Sequence, residues 1–282
     1  MIVGAHHVCA SFFVPAPLTF LMDNGSLEPA ATLALRALAA SLGGRIGRRV
    51  EPVSLLHSSA IPAEKLNGTP AEILEPALAR RLAAGQNEFL VVPLFFGPSA
   101  ALTEYLPDRV AHLRTKHQAL NLRLATPLFL AGDDRLARIL ADQVRTAGPV
   151  PRRVALVDHG SPVKAVIDVR NELARQLDAA LGPDCTVAAS SMERREGAAY
   201  DYCEPLLATL LRSRGWNQGG VTIAMQFLLP GRHAGAHGDV ATICREAEAA
   251  SRGDLQTTMT GLVGEHPLLV DILADRWRAA MV

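Results

Sequence analysis

The 282-residue sequence predicts an α/β fold made of two tandem lobes, each a parallel sheet flanked by helices. Its length and its 49% content of hydrophobic residues exceed what one small core needs. Short apolar runs alternate with longer amphipathic segments, which is typical of βαβ units. Motifs of the first half recur in the same order in the second half, which indicates a duplicated unit.

Four pairs of strings carry this repeat, and the members of each pair are separated by roughly 130 residues. The pairs are FLMDNGS at 20–26 with ALVDHGS at 155–161, Glu75-Pro76 with Glu204-Pro205, FGP at 96–98 with LLP at 228–230, and Leu136 with Leu268. The repeat predicts one lobe at 17–147 and a second lobe at 152–282. Between them, AGPVP at 147–151 breaks any helix and is typical of a linker.

The second half shows the predicted elements clearly. Apolar and β-branched runs predict strands at 153–157, 186–190 and 221–229. Apolar residues at helical spacing predict helices at 166–181, 204–214 and 267–280. In the first of these helices, Arg170, Glu172 and Arg175 are expected to face outward.

Composition excludes several classes of function. The 28 basic and 28 acidic residues cancel, so no bulk charge favours nucleic acid or an anionic membrane. Four cysteines without a CxxC pair argue against a disulfide framework or a zinc knot, and they suit a reducing cytoplasm. The opening segment lacks a basic region and a spanning apolar run, so neither a signal peptide nor a membrane helix is expected. His6 and His7, within residues 1–16, receive no role.

Candidate site residues follow the predicted strands of the second half. His159 follows the first strand, Glu193 the second, and Arg232 with His233 the third. Open parallel sheets bind ligands beyond the carboxyl ends of their strands. We therefore expect these side chains to face one cleft. GxSxG, Walker and HExxH motifs are absent, which disfavours hydrolase, NTPase and zinc-protease functions.

Structural explanations for the same residues remain open at this point. Asp158 and Ser161 could cap the following helix, and Glu204 suits the first turn of a helix. His233 could be a solvated loop residue, and Glu193 could belong to a charged surface loop. His237 and His266 are either further ligands or surface residues. Arg194, Arg195 and Arg232 can hold carboxylates. Phe95, Phe96, Met225 and Phe227 are expected in the core.

Three strings of the second half resemble the sirohydrochlorin cobaltochelatase and ferrochelatase family: VDHGS at 157–161, MERREG at 192–197 and LLPGRHAG at 228–235. In the first half, DNGS at 23–26 and VPLFFGPS at 92–99 resemble the tandem-domain members of that family. The resemblance extends from about Leu18 to the C-terminus. It implies two flavodoxin-like lobes of the chelatase type with a tetrapyrrole between them.

The same resemblance implies a lyase that inserts Co²⁺ or Fe²⁺ into sirohydrochlorin or a related carboxylated tetrapyrrole, in cobalamin or siroheme biosynthesis. His159, His233 and Glu193 match the catalytic and metal-binding positions, and Glu204 is a weaker carboxylate candidate. Ser161, Arg194, Arg195 and Arg232 are expected to bind the substrate. No permanently bound cofactor is expected, because the divalent metal, Co²⁺, Fe²⁺ or Ni²⁺, is itself a substrate. We expect a monomer and leave a homodimer open.

The first half departs from the family pattern. Asn24 occupies the position of the first histidine, and Ala100-Ala101 occupies the Arg-His position. The N-terminal lobe is therefore expected to have lost metal chemistry and to form a wall of the cleft. This degeneracy motivates an alternative function, a non-catalytic metal or tetrapyrrole carrier. A phosphotransfer enzyme that uses His233 is a third hypothesis, because RHAG at 232–235 faintly resembles the motif of histidine phosphatases.

Overall fold

The computed structural model describes residues 16–149 and 152–282. The His6-His7 pair, Cys9 and residues 150 and 151 of the predicted linker lie outside these ranges. The described chain forms two separate four-stranded sheets, one from each half of the sequence. Every strand pairing in both sheets is parallel, which confirms the predicted α/β fold.

The two sheets have the same strand order. The first sheet has the order β2-β1-β3-β4, with strands β1 (Leu18–Asp23), β2 (Val50–Ser54), β3 (Glu88–Pro93) and β4 (Asn121–Leu124). The second has the order β6-β5-β7-β8, with strands β5 (Arg153–Asp158), β6 (Thr186–Ser191), β7 (Gly219–Met225) and β8 (Leu255–Met259). The central strands are almost wholly buried because helices cover both faces of each sheet.

Eight α-helices connect and cover the strands of the described chain. They are α1 (Pro29–Ile46), α2 (Leu74–Ala83), α3 (Leu106–Lys116), α4 (Arg135–Ala147), α5 (Lys164–Leu181), α6 (Leu207–Leu210), α7 (Asp239–Ala250) and α8 (Leu268–Met281). A π-helical turn, Ala101–Tyr105, leads into α3. None of the described helices is long and apolar enough to cross a membrane.

Two predicted elements of the second half differ from the structure. The helix expected at 204–214 is a single turn, α6, because Glu204 is extended and the Ser213 hydroxyl binds the carbonyl of Leu210 just beyond the turn. The third strand ends at Met225 rather than at residue 229. Phe227, Leu228 and Leu229 consequently leave the sheet and line a cleft.

The last helix of each half packs against the sheet of the other half. Helix α8 contacts β3 and α1, whereas α4 contacts β7 and α5. Trp277 of α8 donates a hydrogen bond from Nε1 to Thr19 Oγ1 in β1 at 3.0 Å. One continuous hydrophobic cluster therefore includes residues of both sheets and joins the lobes.

Backbone pairing shows which residues of the two halves occupy corresponding positions. Asp23 pairs with Ser54 and Asp158 with Ser191, so the ends of β1 and β5 correspond. Bridges from Ser54 to Ile73 and from Ser191 to Leu206 make Ile73 the counterpart of Leu206. The proposed match of Glu75-Pro76 with Glu204-Pro205 was therefore wrong by several residues.

Candidate active site

A cleft of about 670 Å³ lies where the carboxyl ends of the central strands of the two lobes meet. The N-terminal lobe contributes residues 23–28, Ala31, His57 and Leu94, and the C-terminal lobe contributes His159 and residues 227–234. The strand ends explain this position, because loops and helix N-termini gather at that edge of a parallel sheet. Both lobes thus form walls of one cavity.

Two predicted imidazoles meet in this cleft. The rings of His159 and His233 lie with their centroids 4.7 Å apart at an interplanar angle of 67°. Glu193 Oε1 lies 3.3 Å from His159 Nε2, and both side chains are about half exposed. The structure therefore brings together three residues that are far apart in the sequence.

A tight turn after β5 positions His159. Met192 N donates to the carbonyl of Asp158 at 2.7 Å, and Glu193 N donates to that of His159 at 3.3 Å. Gly160 has a φ of 97°, and a Cβ there would lie 2.2 Å from the carbonyl oxygen of Glu193. Only glycine permits both the conformation and the close approach. The turn thus holds His159 beside Glu193.

Asp158, the residue before His159, anchors this turn through buried polar contacts. Its buried carboxylate accepts a hydrogen bond from Ser191 Oγ at 2.5 Å and lies 3.9 Å from Arg170 Nη1. Burial raises the pKa of Asp158, whereas Ser191 and Arg170 oppose that rise. Arg170 is only 2% exposed, so the expectation that it faces outward was wrong. It also donates to the carbonyls of Tyr202 and Cys203.

His233 has its own carboxylate partner. Its Nδ1 lies 2.6 Å from Asp239 Oδ2, at the first residue of α7. Because a carboxylate accepts hydrogen bonds, Nδ1 carries the proton and Nε2 keeps a lone pair. In His159, Nδ1 lies 3.1 Å from the carbonyl oxygen of Gly160 and Nε2 lies 3.3 Å from Glu193 Oε1, so each ring nitrogen faces an acceptor. Asp239 was not predicted as a site residue. Its position six residues after His233, at the start of a helix, is a sequence signal that could have identified it.

The other predicted site residues have varied surroundings. Ser161 Oγ accepts a hydrogen bond from Val163 N at 3.1 Å, just before α5. Arg194 is paired with Asp201 at 2.7 Å and Glu204 at 3.3 Å, which raises the pKa of its guanidinium.

Two other predicted arginines line the cavities. Arg232, four-fifths exposed, lines the cleft. Arg195 lies with His159 and Glu193 around a smaller adjoining cavity of about 180 Å³. Their assignment to substrate binding stays a prediction.

Two further histidines have different positions. His237 lies exposed in the loop before α7. His266 accepts a hydrogen bond on Nδ1 from Leu268 N at 3.2 Å and so caps α8. Within 16–149 and 152–282, no group of three or more His, Cys, Asp or Glu side chains is assembled to hold a metal ion. The predicted ligand set of His159, His233 and Glu193 stays a prediction.

The corresponding positions of the N-terminal lobe are chemically different. Leu56 N donates to the carbonyl of Asn24 as Glu193 N does to that of His159, so Asn24 replaces the histidine and Leu56 the glutamate. His57 and Asp23 were not singled out by the sequence, yet both line the cleft. Phe227 lies beyond the end of β7, packs against the core of the C-terminal lobe as expected, and also lines the cleft.

No family model and no curated protein sequence matches the chain. Several solved structures, however, superpose on the chain. SirB from Bacillus subtilis with Fe³⁺ superposes with a TM-score of 0.69 at 16% identity, covering 95% of this chain and 96% of that one. The fold is that of the chelatases.

Two further structures agree. The sirohydrochlorin chelatase SirB from Bacillus subtilis subspecies spizizenii in complex with cobalt gives a TM-score of 0.67 at 14% identity, covering 94% and 95% of the two chains. DR2241 from Deinococcus radiodurans, a multi-domain protein with structural similarity to chelatases and two additional novel domains, gives 0.56 at 18% identity. That match covers 92% of this chain and 54% of DR2241.

Proposed function

We propose that this chain is a chelatase that inserts a divalent metal ion, Co²⁺ or Fe²⁺, into sirohydrochlorin or a related carboxylated tetrapyrrole. One observation carries the proposal: His159 and His233 lie with ring centroids 4.7 Å apart at an interlobe cleft, with Glu193 beside His159. The chelatase fold of the SirB structures, which hold Fe³⁺ and cobalt, supports it.

The donor atoms suit a metal that is passed on. Imidazole nitrogen binds Co²⁺, Fe²⁺ and Ni²⁺ well, and a carboxylate oxygen adds charge without closing the coordination shell. The Nε2 lone pair of His233 is available for this purpose because its Nδ1 donates to Asp239, and neutral His159 supplies a second lone pair beside Glu193. An open set of two nitrogens and one oxygen can release the ion, whereas four tight ligands would retain it.

The macrocycle requires more than a metal. Two pyrrole N–H protons must leave as the ion enters, so the cleft must supply proton acceptors, and imidazole suits this role near neutral pH. The substrate's carboxylates call for cations at the rim. Exposed Arg232 lines the cleft and Arg195 lines the adjoining cavity with His159, which supports a role for both in binding these carboxylates.

A direct assay tests the proposal. Purified protein is mixed anaerobically with sirohydrochlorin and Co²⁺, Fe²⁺ or Ni²⁺, and the absorption change is compared with the uncatalysed rate. We expect His159→Ala and His233→Ala each to lower insertion by about 100-fold or more, because each removes a proposed metal ligand. His112→Ala is the matched control, since His112 lies exposed on α3 away from the cleft.

Each other outcome has a definite meaning. Normal insertion by both His159→Ala and His233→Ala contradicts the proposal. Tight binding of metal and tetrapyrrole without turnover by the unaltered chain indicates the carrier function instead. Phosphatase activity that is independent of cobalt or iron and lost in His233→Ala indicates phosphotransfer.

A further inference from the structure

The N-terminal wall of the cleft carries an imidazole of its own. His57 is exposed and lines the same cavity as His159 and His233, from the opposite lobe. It follows β2 by three residues, at the carboxyl edge of the first sheet. The loss of histidines at the positions of Asn24 and Ala101 therefore does not leave this wall without a base.

The backbone at His57 is strained. Its φ is 66° and its ψ is −41°, and Ser58 N donates to the carbonyl of Leu56 at 2.8 Å. These values define a γ-turn of positive φ, which is rare for a residue with a side chain. Such strain persists only where the surroundings enforce it, and it concentrates at functional sites.

The surroundings of this turn do enforce it. Leu56 N is held by the carbonyl of Asn24 at 3.1 Å, and Ala60 N donates to the carbonyl of His57 at 3.0 Å. Ser58 is fully buried, and its Oγ has no hydrogen-bond partner among the described residues. His57 is therefore presented to the cleft by a segment anchored on both sides.

The fold itself does not require this strain. The repeat makes Leu56 the counterpart of Glu193, so Arg194 occupies the position that corresponds to His57. Within the described chain, residues other than glycine have positive φ at His57, Asn67 and Arg252, and Arg194 is not one of them. The position thus has a positive φ in the lobe where it carries an imidazole and not in the other lobe.

The C-terminal pair leaves a chemical gap that His57 can fill. A neutral imidazole has a single nitrogen lone pair, so His159 and His233 supply one each, and in His233 it lies on Nε2 because Nδ1 donates to Asp239. A lone pair that binds the metal cannot also accept a proton. Removal of the pyrrole protons then needs a base from elsewhere in the cleft.

We propose that His57 is a catalytic residue that accepts the pyrrole protons from the N-terminal lobe while the C-terminal histidines hold the metal. This inference rests on the proposed function. In each transfer, the pyrrole N–H bond breaks and its electron pair stays on nitrogen to form the metal–nitrogen bond. The proton passes to the imidazole lone pair, and exposed His57 then releases it to water before the second transfer.

Two variants test this role in the full chain. His57→Asn keeps a polar residue that tolerates positive φ, and His57→Gly relieves the strain. Co²⁺ insertion into sirohydrochlorin is measured for kcat and for the KM of the metal. We expect both variants to lower kcat by about 10-fold or more, with the KM of the metal unchanged within about two-fold. His112→Asn is the control, and Glu193→Gln is expected instead to raise that KM.

A second measurement separates chemistry from folding. The melting temperature of His57→Gly should equal or exceed that of the unaltered chain, because strain is removed, while its activity falls. Added free imidazole should restore part of its lost rate. If the unaltered chain inserts metal and His57→Asn does so equally fast, the role of His57 is overturned alone. If the unaltered chain inserts none, the proposed function fails, and this role fails with it.

Discussion

Two aspartates at the same position of the repeat have different neighbours. Asp23 and Asp158 end β1 and β5, and both carboxyls are buried. Helices α1 and α5 each have 18 residues, and the seventh is Leu35 in α1 but Arg170 in α5. Asp23 therefore lacks a guanidinium, and burial raises its pKa to about 6. One of its oxygens has no hydrogen-bond partner among the described residues.

This difference predicts a pH-dependent stability. Between pH 3.8 and about 6, the folded state binds more protons at Asp23 than the unfolded state, so the free energy of unfolding decreases as the pH rises through that window. We expect Asp23→Asn to remove this decrease and to stabilise the fold by up to about 3 kcal/mol at pH 7. Urea unfolding from pH 4 to 8 measures it, with exposed Asp184→Asn as the control. An unchanged pH slope in Asp23→Asn would contradict the assignment.

Asp239, the partner of His233, is partly exposed, so its substitution should not disturb the core. The Asp239 carboxylate holds the Nδ1 proton and so aims Nε2 at the cleft. We expect Asp239→Asn to lower metal insertion by about 10-fold, because partners of metal-binding histidines set ring orientation and basicity. Asp168→Asn, which breaks a surface pair with Lys164, should leave the rate unchanged. Equal rates in both variants would show that Asp239 does not orient His233.

At the scale of elements, the buried guanidinium of α5 links the helix to the site turn. Arg170 joins Asp158, Ser191 and the segment at 202–203. Arg170→Leu reproduces the residue of α1 but leaves Asp158 buried without a cation, which should destabilise the fold by about 3 to 5 kcal/mol. Arg175→Leu on the same helix breaks only an exposed pair with Glu172 and should leave stability almost unchanged. Chemical denaturation compares the two, and equal losses would refute the buried role of Arg170.

The same elements show what sequence patterns can and cannot predict. Strands β5 and β6, α5 and α8, and the gathering of His159, Glu193 and His233 were predicted, because strand ends and helical spacing are local signals. Arg170 was misplaced because a charge on an amphipathic helix is expected outside unless a partner offsets its burial. That partner, Asp158, becomes visible only in three dimensions. The strain at His57 has no sequence signal at all.

At the scale of the whole molecule, each lobe has a hydrophobic cluster of its own, and a third cluster is shared by the two lobes. The predicted boundary between 17–147 and 152–282 separates the two sheets, but α4 and α8 each cover the sheet of the other half. Arg276 of α8 donates to the carbonyl of Leu128 at 2.7 Å, and Arg135 of α4 pairs with Asp275 at 2.5 Å. This packing of α4 and α8 across the lobes fixes the two walls of the cleft relative to each other, so His57 and His159 line one cavity.

Because α4 and α8 each pack against the other lobe, we expect neither half to fold alone. Without α8, the face of the first sheet that includes Leu21 and Leu90 keeps only the cover of α1, and without α4 the second sheet loses the cover of Leu140 and Val144. We expect fragments 16–149 and 152–282 to lack cooperative unfolding separately and to regain it when mixed, as followed by circular dichroism. Trp277→Ala should cost the intact chain about 3 to 5 kcal/mol and weaken this complementation, because it removes a buried ring and its bond to Thr19. A cooperative melt of 152–282 alone would show instead that the second lobe is an autonomous domain and that the exchanged helices do not hold the cleft together.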